Sequence, residues 1–314
     1  MRKFIDLFAI VMMALLCTIW ALQQIALKGA ASDITTLAQV GLRSGIAALL
    51  VSIVMIASDL PLLGSKTLWK PGAVVGVLFA LEFLFVAEGL RFTTATHMAV
   101  FLYTAPIFAS VGLHLTLPEE RLAAAQWAGV FTAFIGVLVL FLGGGTQSGE
   151  VTAAVLWGDF LGLLGGAAWG STTVAVRTTT LSDAAPSRTL LYQLVGAFGI
   201  LSLLAFCKGD FNFSLTYRAG LSLAFQGVVV CFASYLAWFW LLTKYQASQL
   251  GVLTFMTPPL GVILGILILG ETIETHFVLG TLLTLSGVIA VTGYGWYRRF
   301  SYPRSVSCRV ECKL

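Results

Sequence analysis

Ten stretches of this chain are continuous, apolar and long enough for a helix to cross a hydrocarbon core roughly 30 Å thick, which takes about 20 residues. They run from Leu7 to Leu27, Leu37 to Ala57, Gly72 to Leu90, Thr96 to Leu115, Ala123 to Leu142, Leu156 to Val176, Thr189 to Phe206, Leu221 to Leu241, Gln249 to Leu269 and Phe277 to Trp296. Backbone amides in lipid have to be satisfied within their own segment, and runs that do not alternate in polarity are not barrel strands. An all-α membrane protein with ten transmembrane helices is expected. Composition agrees, because 58% hydrophobic residues, 10% charged residues and a mean hydropathy of +0.94 leave too little polar surface to coat a soluble globule.

The chain also repeats itself. Leu242 to Glu271, LTKYQASQLGVLTFMTPPLGVILGILILGE, has a counterpart 152 positions upstream in Leu90 to Glu119, LRFTTATHMAVFLYTAPIFASVGLHLTLPE. Each begins with a short polar connector, is broken by proline (Pro106; Pro258 and Pro259) and ends on an acid. Gly129 and Gly136 answer Gly280 and Gly287, while Trp20 and Lys28 answer Trp169 and Arg177. Residues 1–145 read as one five-helix unit and 146–300 as a second, joined through GGGTQSGE at 143–150. Residues 301–314 read as a cytoplasmic tail or vector-derived residue.

An odd number of spans per unit makes the second copy enter the bilayer from the opposite face, so a pseudo-twofold axis in the membrane plane is expected. With the N-terminus inside, Arg2, Lys3, Lys66, Lys70, Arg121, Arg177, Arg188, Lys244, Arg298 and Arg299 are cytoplasmic, against Lys28, Arg91, Lys208 and Arg218 outside. The positive-inside rule then puts both termini in the cytoplasm. The N-terminal run is span-length and lacks a small-residue cleavage site, so it reads as the first span and not as a secretory signal.

Polar side chains inside the spans are the candidates for function. Glu82, near the middle of the third run and flanked by Phe79, Phe83 and Phe85, is the most informative: an ionised carboxylate there costs several kcal/mol unless it pairs or reaches water. It reads as a solute-ammonium or proton-coupling group, or else as one half of a buried structural pair. Trp20, Gln23 and Gln24 share a face of the first run and Trp169, Thr172 and Thr173 the matching face of the sixth, either lining a wet cavity or hydrogen-bonding between helices. Tyr103 precedes the break at Pro106, and Tyr235 and Trp238 with Phe232 form an aromatic face for stacking or for lipid. Arg43 reads as an anchor of its helix or a partner of an acid such as Glu88. His97, His114 and Asp159 read as interface, interior and helix-start residues, the glycine stripe at 158, 162, 166 and 170 as packing, and the seventh run as peripheral.

The five cysteines have no metal spacing, no GxxxxGK[ST] loop is present, and neither HExxH, GxSxG nor a second intramembrane Asp beside Asp159 occurs. No cofactor, metal or nucleic acid is implied, and an intramembrane enzyme is disfavoured. The expected partners are a small-molecule solute and the lipid bilayer.

The proline-broken fourth and ninth runs, with Leu117-Pro118-Glu119 after one and Leu269-Gly270-Glu271 after the other, resemble the EamA repeat of the drug/metabolite transporter superfamily. The resemblance covers nearly the whole chain, and the first copy departs from the family's LGE by its Pro118. It implies two inverted repeats whose helices 1, 3, 4, 6, 8 and 9 surround a central pathway, hinged at the prolines, with Trp20, Glu82, Tyr103, Trp169, Tyr235 and Trp238 around it. It is strongest to the amino acid exporters, which implies export of aromatic or other apolar amino acids, or related metabolites, across a bacterial inner membrane by alternating access. A multidrug or other metabolite carrier is the alternative within the superfamily.

Overall fold

The computed structural model describes residues 2–62, 64–93, 95–142, 152–210, 214, 216–269 and 275–301. The linker 143–150, Glu271 and the tail beyond residue 301 lie outside the described residues. Among those described, nine helices are long and apolar enough to cross a membrane. The first half holds α1 (Leu7–Gly29), α2 (Thr36–Ala57), α3 (Lys66–Gly89), α4 (Ala95–Leu102), α5 (Ala105–Thr116) and α6 (Ala124–Leu142). The second holds α7 (Ala153–Thr178), α8 (Pro186–Lys208), α9 (Tyr217–Ala224) continuing through a π-helical stretch Phe225–Ser234 into α10 (Tyr235–Lys244), then α11 (Ala247–Leu253), α12 (Thr257–Leu269) and α13 (Thr275–Ser301).

The run Gln249–Leu269, expected as a proline-broken span, is divided into α11, a 3-10 turn Thr254–Met256 and α12. Proline lacks an amide donor and its ring crowds the carbonyl four residues back, so it fits best in the first turn of a helix. Pro258 and Pro259 occupy that place in α12, and Pro106 occupies it in α5 after the turn at Tyr103 and Thr104. Other helices start on threonine caps: the hydroxyls of Thr35, Thr152 and Thr216 accept from the amides of Ala38, Val155 and Ala219 at 3.3, 3.3 and 3.1 Å.

Side chains such as Leu7, Leu15, Leu49, Leu115, Leu203, Phe206 and Ile289 point away from the bundle and are more than half exposed, the apolar coat that lipid requires. Helix pairs across the halves are reciprocal. α6 packs on α13 and α2 on α8, while α3·α8 is matched by the π-stretch on α2 and α5·α7 by α12 on α1. The glycines that answer each other in sequence meet crosswise in space: a Cβ at Gly129 would lie 2.8 Å from the carbonyl oxygen of Gly287, and one at Gly136 2.8 Å from that of Gly280. The stripe on α7 lets α4 and α5 approach to backbone contact, with Gly166 facing the Phe101 carbonyl and Gly170 that of Ala105.

The end of the bundle that carries the N-terminus is tied by polar contacts between halves. Glu120, 1% exposed, accepts from the Arg177 guanidinium, from the amides of Ala247 and Ser248 at 3.1 Å each, and from the Ser248 hydroxyl at 2.9 Å. Its carboxylate thereby caps the start of α11. Lys3 pairs with the backbone beside Tyr245, and Arg2 donates to the Leu242 and Ser182 carbonyls at 2.6 and 2.9 Å.

Candidate binding cavity

A cavity of about 110 Å³ lies where α1, α3, α4, α7, α8 and α10 converge. Its walls are aromatic. Trp20 meets Trp238 and Tyr235 edge to face, with ring centroids 5.8 and 6.4 Å apart. Phe79 stands at right angles to Tyr235 at 6.0 Å and contacts Phe83 at 5.0 Å, and across the cavity Tyr103 lies 6.1 Å from Trp169. Such edge-to-face pairs add about 0.5–1.5 kcal/mol each beyond area burial, so the rings brace one another.

Several polar groups here are already engaged. The Trp20 indole N–H donates to the Ser234 hydroxyl at 3.0 Å, which donates to the Val230 carbonyl at 2.6 Å. Thr172 and Thr173 donate back to the carbonyls of Ala168 and Trp169 at 2.9 and 3.5 Å, leaving lone pairs for a visitor. Three groups are not engaged. Among the described residues, no protein atom hydrogen-bonds to the Gln23 amide, the Glu82 carboxylate or the Gln193 amide, although all three line the cavity and are at most 7% exposed. Leaving a buried polar group unmade costs about 1–3 kcal/mol, so these three require water or a solute.

The sequence of this chain matches the EamA-like transporter family over residues 7–142 and again over residues 156–293. The chain belongs to the EamA-like transporter family. Among similar proteins are the uncharacterized transporter YoaV of Bacillus subtilis, 26% identical over 87% of this chain and 93% of that one, and an uncharacterized transporter of Archaeoglobus fulgidus, 26% identical over 90% and 97%. A solved crystal structure of a protein shares the fold with a TM-score of 0.76, at 18% identity over 90% of this chain and 98% of that chain.

In this EamA-like transporter the structure brings Trp20, Gln23, Phe79, Glu82, Phe83, Tyr103, Trp169, Thr172, Thr173, Tyr235 and Trp238 around one cavity; the Gln24 side chain lies outside the described residues. Phe85 and Phe232 are not among the lining residues. Two expectations are corrected at its edge. The seventh run is not peripheral, because α8 packs on α2, α3 and α10 and turns Gln193 inward. Arg43 neither snorkels nor pairs with Glu88, which binds Lys208 and Arg91 instead. Arg43 is wholly buried, donates to the Gln226 side chain at 3.1 Å and lies 4.8 Å above the Phe83 ring.

Away from the cavity, Asp159 is more than a helix-start charge: it accepts from the Thr93 hydroxyl at 2.5 Å and sits 3.1 Å from His97 Nδ1, joining α7 to the start of α4. His114 packs on Trp127. The apolar lining residues that the sequence did not single out, Leu102, Val176, Phe239 and Leu242, are apolar positions in apolar runs and carry no distinguishing signal.

Proposed function

We propose that this EamA-like transporter exports aromatic or other apolar amino acids, or closely related metabolites, across a bacterial inner membrane by alternating access. The observation that carries the reading is the cavity's chemistry: an aromatic wall suited to an apolar side chain, with the Glu82 carboxylate and the Gln23 and Gln193 amides unspent beside it. Glu82 takes the ammonium of the solute and the amides hydrogen-bond its carboxylate. Volume favours the same class, since about 110 Å³ is well below the roughly 300–1,000 Å³ usual for drug-sized ligands.

The same reading makes residues 1–145 and 146–300 two inverted repeats, with both termini cytoplasmic and Pro106, Pro258 and Pro259 at hinges. The reciprocal helix pairs support it, as does the contact of Arg177, at the end of α7, with the face on which α1 begins. Rocking of one set of helices against the other then exposes the cavity to each side in turn.

Counterflow of radiolabelled phenylalanine in proteoliposomes, with and without a pH gradient, tests it. Saturable counterflow inhibited by other amino acids is expected; flux restricted to large cations would assign the chain to drug carriage instead. A response to the gradient separates proton exchange through Glu82 from simple facilitation.

A further inference from the structure

Among the described residues Arg43 is the largest wholly buried side chain, and its guanidinium is poorly satisfied. One nitrogen, Nη1, donates to Gln226 Oε1 at 3.1 Å, whereas Nε and Nη2 are buried without a hydrogen-bond partner. Buried cations in native proteins are paired and hydrogen-bonded, because desolvating a charge costs several kcal/mol. Two free donors at one guanidinium therefore mark an acceptor that arrives in another state of the molecule.

The group is held in place from behind. Gln226 spends its amide protons on Gln39 Oε1 at 3.0 Å and the Ser222 hydroxyl at 2.9 Å, and Gln39 donates in turn to the carbonyl of Ile34 at 2.8 Å. With its N–H groups committed, Gln226 has only its oxygen to show to Arg43. In front, the guanidinium lies on the face of Phe83, whose chain neighbour is Glu82. Glu82, Tyr235 and Cys231 lie within electrostatic range of Arg43. Among the described residues Arg43 and Glu82 make no direct ion pair, and each lacks the partner that the other could supply.

We infer that Arg43 is a resident counter-cation for Glu82: the guanidinium pairs with the carboxylate when no solute amine occupies the cavity, and a solute ammonium displaces it. The inference rests on the reading of Glu82 as the ammonium site. It makes Arg43 a positioning residue that competes with solute, so that each arriving amine exchanges for an internal cation and the cavity keeps its charge through the cycle. The solute carboxylate, in this account, stays with the amides of Gln23 and Gln193, because Arg43 has no exposed surface in the cavity.

The test uses the full chain in detergent, with Arg43→Gln, Arg43→Lys, Glu82→Gln and the double variant Arg43→Gln/Glu82→Gln. The first readout is thermal unfolding without ligand. Each neutralised single variant should melt below the parent and the double variant should recover most of the loss, Arg43→Lys lying between; additive losses, or a double variant that fails to fold as the singles do, overturn the pairing whatever the solute is. The second is titration of phenethylamine and of 3-phenylpropionate by quenching of the tryptophans that line the cavity. Removal of the competitor should tighten phenethylamine binding to Arg43→Gln by about fivefold or more and leave 3-phenylpropionate unchanged. Weaker 3-phenylpropionate binding with amine binding unchanged would make Arg43 the receptor of the solute carboxylate and sink the counter-cation. Absence of binding of either probe to the parent, with the stability coupling intact, faults the amino acid reading and not the Arg43–Glu82 pair.

Discussion

Glu120 and Arg177 form a buried ion pair between the halves, with the guanidinium Nε 3.1 Å from the carboxylate and the two side chains 0% and 5% exposed. The pair binds the turn before α6 to the end of α7, and the same carboxylate holds the first amides of α11. Removing one member of such a pair strands the other, which costs about 3–5 kcal/mol. Glu120→Gln is expected to lower the melting temperature of the detergent-solubilised protein sharply. Glu120→Leu combined with Arg177→Met should recover part of the loss, since it removes both charges while keeping the volume.

Glu82→Gln keeps the shape of the cavity wall and deletes its one carboxylate. Hydrogen bonds to charged groups contribute about 1.5–3 kcal/mol, so half-saturation for an amino acid solute should rise by roughly ten- to a hundredfold. The check is concentration-dependent counterflow, with the pH profile measured alongside. Transport and pH profile equal to the parent would show that Glu82 is structural and that coupling does not run through it.

Much of this architecture was legible in the chain because lipid permits so few alternatives. A buried acid such as Glu82 cannot be accidental, and a proline in the middle of an apolar run, Pro106 or Pro258, breaks the helix there or begins the next one. Trp20 and Trp169 were found by their register in the two copies. What the residues hid is which neighbour each polar group meets. Gln193 looks like any amide near a helix start until α8 turns it inward, and Asp159 like a helix-start charge until Thr93 and His97 arrive from another element. The π-helical stretch Phe225–Ser234 left no mark on hydropathy, because its residues are as apolar as those of an α-helix. Its two ends are tied by contacts distant in sequence, Gln226 to Arg43 and Ser234 to Trp20.

Gly166 stands where α7 touches the turn that carries Tyr103. A Cβ there would lie 2.8 Å from the Phe101 carbonyl oxygen, a backbone atom that has no room to yield. Gly166→Ala should push α4 and α5 outward, cost about 1–3 kcal/mol in stability and separate Tyr103 from Trp169. Thermal unfolding reads the first effect and solute quenching of tryptophan fluorescence the second. Gly199, with nothing within 4 Å of an added Cβ, is the control, and Gly199→Ala should leave both unchanged.

Alkaline pH offers a probe of the end of the bundle that carries the N-terminus. The Tyr245 hydroxyl, just beyond α10, donates to both carboxylate oxygens of Asp6 at 2.9 Å. Burial first, then that bond to a negative charge, push the phenol up to about 12 from an ordinary value of about 10. A raised value means that the native protein keeps its proton where the unfolded chain has lost it. The stabilisation is therefore complete below pH about 10 and is lost as pH climbs through the folded value of about 12. Tyr245→Phe should cost about 1.5 kcal/mol at neutral pH and flatten this part of the stability profile. Lysines that titrate in the same range are common to both proteins, so the difference between the two unfolding curves isolates the phenol. If the curves stay parallel from pH 9 to 12, the Tyr245–Asp6 bond is not made in solution.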